Sequence, residues 1–118
     1  MNRVNKIKQE QNDGHWNFMR FRTDTYDAGQ ALERTAFAEG SLTTKTKELI
    51  AIGIAIQAGS EAAIEQHIER AAAQGTSFDE AVEAVGVGIA MGGGLATASA
   101  HFAFQSLDRA YPREILKR

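Results

Sequence analysis

Two ionisable residues stand among otherwise apolar neighbours, and they carry the chemistry this sequence offers. Glu48 precedes the apolar run Leu49–Ile56, and His67 lies on a stripe with Ala63, Ile64, Ile68 and Ala71. Imidazole exchanges protons near neutral pH, and a neighbouring carboxylate fixes its tautomer and supports its charged form. Glu48 and His67 could therefore form a general acid/base relay. The same residues admit a plainer reading. His67 would be a core or interface histidine with one hydrogen-bond partner, and Glu48 a charge near a helix start that favours solubility and the helix dipole.

Whether the two can meet depends on the elements that carry them. A single proline and regularly placed glycines give a pattern of helices ended by glycine caps. The first clear helix spans about Thr25 to Glu39, with Ala28, Leu32, Ala36 and Phe37 as its apolar stripe. Thr43 caps a second helix that runs to about Ala58. After one polar turn this helix is apolar on every side, which predicts burial. Gly59 ends it and Ser60 caps the third helix, which stops at Gly75. Ser77 and Glu80 form a capping box for a fourth helix burying Phe78, Ala81, Val82, Val85 and Ile89. Met91–Gly94 breaks the chain before a fifth helix. Nothing alternates with period two, so the fold class is all-α, with five to six helices in one domain over 1–118.

The second and third helices, joined only at Gly59, form an antiparallel hairpin at the centre. Glu48 lies eleven residues before that joint and His67 eight after it. At about 1.5 Å per residue they stand roughly 16 Å and 12 Å from the turn, within one helical turn of each other.

Residues 1–24 are harder to place. Val4–Gln11 fits a short helix, and HWNFMRF (15–21) gathers Trp16, Phe18, Met19 and Phe21, too apolar for a solvated tail. This N-terminal extension is expected to pack at a subunit interface. The alanine- and glycine-rich core of so short a chain buries little area, which also predicts a homo-oligomer.

Several classes are excluded or disfavoured. The chain has no cysteine, which removes disulfides, thiolate metal sites and every thiol reaction. A net charge of −2 offers no basic field for nucleic acid or anionic membrane. The N-terminus lacks an apolar signal region, and Leu49–Ile56 is too short to cross a bilayer, so a cytoplasmic protein is expected. His15, His67 and His101 lack i, i+4 ligand spacing, so no metal or other cofactor is expected. Gly92–Gly94 has no lysine or preceding strand and reads as a close-packing element, not a phosphate loop.

KELIAIGIAIQAGSEAAIEQH followed by GTSFDEAVEAVGVGIAMGGG resembles the AhpD-like family, which includes the carboxymuconolactone decarboxylases. The likeness runs from about Leu42 to Ala98. It implies an AhpD-like helical bundle that assembles as trimers or hexamers, with sites near subunit contacts. The redox branch of that family carries Cys-x-x-Cys-x-x-x-His at this hairpin. Ser60 and Ala63 stand at the two cysteine positions, while Glu48 and His67 match the glutamate–histidine relay. Thiol peroxidase chemistry is thereby excluded. The decarboxylase branch also lacks the cysteines, and it implies cofactor-free lyase chemistry on a small lactone or carbonyl substrate. Glu48 and His67 would be catalytic. Ser60, Arg70 and His101 are candidate substrate contacts, and Lys45 and Lys47 are further candidate cations. Most family members have proline after the glycine run, where this chain has Leu95. The alternative is a non-enzymatic oligomeric binding or scaffold protein of the same family.

Overall fold

Side chains of Asn2, Thr23, Thr43, Ser60 and Ser77 accept from free backbone N–H groups where the first five helices begin, and the last follows Ala96 with no side-chain cap. In the computed structural model, which describes residues 2–20 and 23–112 and the side chains of all of these except 15–20 and 95, there are six α-helices. They are α1 (Arg3–Arg20), α2 (Asp24–Phe37), α3 (Thr44–Ala58), α4 (Glu61–Ala73), α5 (Phe78–Gly92) and α6 (Thr97–Ala110), with a short 3-10 turn at Gly93–Ala96. No strand occurs among the described residues. The side chains of HWNFMRF, and that of Leu95, lie outside the described set.

The caps follow the sequence. Thr43 Oγ1 accepts from Thr46 N–H, Ser60 Oγ accepts from Ala63 N–H, and the Ser77/Glu80 capping box is complete in both directions. Gly59 ends α3 with φ of 74°, a left-handed conformation that permits the hairpin turn into α4. The core joins Ile52 and Ile56 of α3, Ile64, Ile68 and Ala71 of α4, Ala81 and Val85 of α5, and Phe102, Ala103 and Leu107 of α6. Tyr111, bonded to Thr76 (2.5 Å) and set edge-on to Phe78, closes one end, and burial pushes its phenol up from its ordinary value.

α3 and α5 approach closely because Gly88 has no side chain. A Cβ there would lie 2.7 Å from both the Gly53 carbonyl oxygen and Ile56 Cβ. Gly88→Ala is therefore expected to cost about 1–3 kcal/mol through overpacking. Gly86→Ala, where a Cβ meets nothing within 4 Å, should instead stabilise by roughly 0.5–1 kcal/mol. Thermal melts of the two variants, shifted in opposite directions, check both.

Two expectations need correction, and the face that α2 turns inward is a further finding. α1 is a long helix rather than a single short one, and its first turns lie on α4. Val4 enters the core, Arg3 pairs with Glu61, and Lys8 pairs with Glu69 and sits 3.4 Å from Glu65. α3 is not covered on all sides, since Ile50 and Ile54 face outward. The α2 stripe of Ala28, Leu32 and Ala36 does not enter the core: no residue of α2 is buried, and only Phe37 of the predicted set turns inward. Helical spacing locates a stripe, but it does not say which neighbour will cover it.

Candidate functional site

The hairpin brings the two ionisable residues together. His67 Nδ1 lies 2.8 Å from Glu48 Oε2, a hydrogen bond in which the ring N–H donates to the carboxylate. The Glu48 side chain is 3% exposed and that of His67 13%. With Nδ1 engaged, the ring's free exchange position is Nε2, the tautomer that a histidine general base requires.

A third residue completes the arrangement. Phe37, at the end of α2, stacks on the imidazole with ring centroids 5.4 Å apart and planes 13° from parallel. Its position follows from the tether between α2 and α3. Thr44 Oγ1 donates to the Phe37 carbonyl at 2.7 Å, Thr44 N–H donates to Glu39 Oε1 at 3.1 Å, and Lys47 Nζ donates to the Ala38 carbonyl at 2.6 Å. Spacing counts Phe37 among the apolar residues of its helix, but nothing in the sequence indicates that it faces the histidine.

The other candidates scatter. Arg70, one turn beyond His67, is held in an ion pair by Glu33 of α2. Lys47 serves the tether, and Lys45 lies 3.3 Å from Glu80 of α5. Ser60 is the exposed cap of α4, its Oγ 3.3 Å from Ala63 N. His101 is exposed on α6, and among the described residues no hydrogen bond or ring contact links it to the pair. No group of three or more His, Asp or Glu among the described residues is placed to hold a metal ion.

Two clefts flank the bundle. A polar one of about 750 Å³ lies between α1, α2 and α4 and is lined by Gln11, Asn12, Tyr26, Gln30, Gln66 and Arg70 among others. An apolar one of about 730 Å³ lies between α3 and α5. Neither is lined by Glu48 or His67, so the expectation that the pair opens into a pocket is not met by these two. The polar cleft does come close, since Gln66 and Arg70 flank His67 on α4.

The sequence reading missed a second buried carboxylate. Glu65 is 2% exposed, accepts from Ser106 Oγ at 2.5 Å, and lies 3.9 Å from Arg109 Nε. Glu61, Glu65 and Glu69 recur every fourth residue, which reads as a solvated face until α1 is known to lie on it.

The fold and the pair define a class: a cysteine-free helical protein whose central hairpin holds a glutamate–histidine couple. The chain belongs to the carboxymuconolactone decarboxylase family, whose model matches residues 23–105. A Paracoccus denitrificans protein described as uncharacterized protein 4 in the cox locus is 37% identical over 82 residues, covering 70% of this chain and 74% of that one. The structure is similar to that of a carboxymuconolactone decarboxylase family protein from Legionella pneumophila, with a TM-score of 0.84 at 24% identity over 90% of this chain and 95% of the other. A family member from Thermotoga maritima gives 0.79 at 23% identity over 95% and 93%.

Proposed function

We propose that this protein carries out cofactor-free acid/base chemistry of the carboxymuconolactone decarboxylase kind on a small lactone or carbonyl compound. The observation that carries the reading is the 2.8 Å Glu48–His67 contact held in near-complete burial. Glu48 orients the ring, and His67 Nε2 moves the proton. In a decarboxylation the bond to the substrate carboxylate breaks, carbon dioxide leaves, and the imidazolium protonates the carbon that retains the electron pair. Phe37 stacks on one face of the ring, and Arg70 becomes available to an anionic group only if Glu33 releases it.

The test is turnover of 4-carboxymuconolactone and simpler lactones, followed by absorbance and carbon dioxide release. The activity should fall by roughly 10²–10⁴ in His67→Gln. Absence of turnover across the panel, or turnover unchanged in that variant, would overturn the reading. A second reading, a non-enzymatic oligomeric binding or scaffold protein, is favoured by the burial of the pair and by its absence from both clefts.

Thiol chemistry offers a separate check. The protein should reduce no hydroperoxide with any disulfide-reducing system, because no residue can form a mixed disulfide. Ser60 and Ala63 occupy the cap and third position of α4, the helix N-terminus at which thiols become acidic. Ser60→Cys with Ala63→Cys should therefore yield a pair that oxidises to a disulfide, scored by thiol titration. Two persistently free thiols would show that the cap geometry does not support the exchange.

A further inference from the structure

Partial burial on α2 falls on one face. Tyr26, Gln30, Glu33 and Phe37 are partly covered, every other residue of the helix is exposed, and at 100° per residue the four share one stripe. A helix laid on a packed core turns apolar side chains inward. This one turns inward a phenol, an amide and a carboxylate, with one phenylalanine at its end. Phe37 meets His67 and Glu33 meets Arg70, while Tyr26 and Gln30 line the polar cleft between α1, α2 and α4. For its first two turns α2 therefore serves as the wall of a cleft and not as the lid of a core.

At about 750 Å³ the cleft has the size of a small-molecule site. Its walls are rich in side-chain amides: Gln11 and Asn12 from α1, Gln30 from α2 and Gln66 from α4. Gln11 Nε2 donates to the Ala62 carbonyl at 3.2 Å. Gln30 and Gln66 are half-buried, yet neither makes a hydrogen bond to another described residue. A half-buried amide in that position has donors and an acceptor to offer to whatever enters the cleft. The full charges are already answered. Arg70, the one cation among the described lining residues, is paired with Glu33, and Glu69 is paired with Lys8. An anion would have to displace Glu33 to gain anything here. The cleft offers hydrogen bonds without a free charge.

We propose that this cleft binds an uncharged, polyhydroxylated ring compound. A primary amide presents a donor and an acceptor on one rigid fork, and a vicinal diol returns the same pair from adjacent oxygens. Asn12, Gln30 and Gln66 come from three different helices, so their forks reach a ligand from three sides. Hydroxyls directed all round a saturated ring match that arrangement. A flat ring amide, with its hydrogen bonds in a single plane, does not. Tyr26 supplies the one aromatic face among the described lining residues, an apolar surface on which the C–H face of such a ring can lie. The site adjoins the Glu48–His67 pair along α4, but neither of those residues lines it, and its ligand does not depend on the proposed activity.

Side-chain amide signals in the NMR spectrum of the isotope-labelled full chain read this directly. Titration with D-glucose, D-galactose and myo-inositol should, for at least one of them, shift the Gln30 and Gln66 amide signals saturably and leave those of Gln57 and Gln105, outside the cleft, in place. Gln30→Leu and Gln66→Leu remove groups that no described hydrogen bond of the fold uses. Each should melt with the parent and weaken that binding about tenfold. The mapping on the parent chain decides the matter even where a variant fails to fold. Absence of a saturable shift at Gln30 and Gln66 with all three compounds would overturn the proposal. Tighter binding of acetate would do the same, by showing that Arg70 leaves Glu33 and the cleft reads charge, as would tighter binding of uracil, by showing a planar site. None of these readouts uses turnover, so a failed titration leaves the acid/base reading standing, and an inactive enzyme leaves this site standing.

Discussion

His67→Ala is expected to remove turnover and to cost about 2–4 kcal/mol of stability at once, because the two roles of this residue are not separable by truncation. Glu48 is 2% exposed, and its carboxylate is left without the imidazole that compensates it. His67→Gln separates the roles. Its amide can still donate to Glu48, so most of the stability should return, while a group that cannot exchange a proton leaves turnover down by roughly 10²–10⁴. Glu48→Gln should keep the contact but lose the ring's orientation, lowering kcat more than it raises KM. Chemical denaturation beside steady-state kinetics measures both quantities on the same samples. The acid/base reading requires that Ala and Gln differ in stability but not in activity. If Gln restores stability and the parent turns over no lactone or carbonyl compound, the pair is a structural clamp and the scaffold reading stands.

The features that local chemistry dictates were legible in the sequence. Thr43, Ser60 and the Ser77/Glu80 box cap their helices because a hydroxyl three residues before a free N–H has few other tasks. Gly59 makes a tight hairpin, so counting rises along α3 and α4 was enough to bring Glu48 and His67 to the same height. What counting could not supply was the neighbour on each face. α3 is apolar all round, yet it is covered only where Ile52, Ala55 and Ile56 meet α4, α5 and α6; Ile50 and Ile54 are exposed. The apolar residues of α2 were identified by spacing, but spacing does not say which of them turn inward, and only Phe37 does. Phe37 over His67 is set by the Thr44, Glu39 and Lys47 tether, a set of contacts that spacing does not encode.

Arg109→Met is expected to destabilise the fold by about 2–4 kcal/mol, a large effect for a residue 30% exposed, because the charge it answers is buried. Glu65 lies on the face of α4 opposite His67, two residues and about 200° away, where α1 and α6 close over it. Its carboxylate has the Ser106 hydroxyl, Lys8 Nζ at 3.4 Å and Arg109 Nε at 3.9 Å, the latter from the inner side of the cluster. Arg109 itself keeps one guanidinium nitrogen, Nη2, buried without a hydrogen-bond partner among the described residues, so the cluster is only partly satisfied there. Lys8→Met should cost under about 1 kcal/mol, since its ammonium is 39% exposed and paired chiefly with Glu69 at the surface. The Glu69 hydrogen bond raises the Lys8 ammonium above its ordinary 10.5. That small contribution is full below pH 10.5 and is lost as pH rises through the raised value, which loosens α1 first at the alkaline end. The decisive comparison is a double-mutant cycle on Glu65 and Arg109. Glu65→Met with Arg109→Met replaces a buried, imperfectly bonded ion pair by two flexible apolar chains, and Ser106 can turn its hydroxyl to its own helix. The double variant should therefore be more stable than Arg109→Met alone. If the two single costs simply add, Glu65 and Arg109 are uncoupled and the cluster does not brace α4. If they couple, turnover in the double variant should persist, because α4 is then held from behind by packing instead of charge and His67 keeps its place against Glu48.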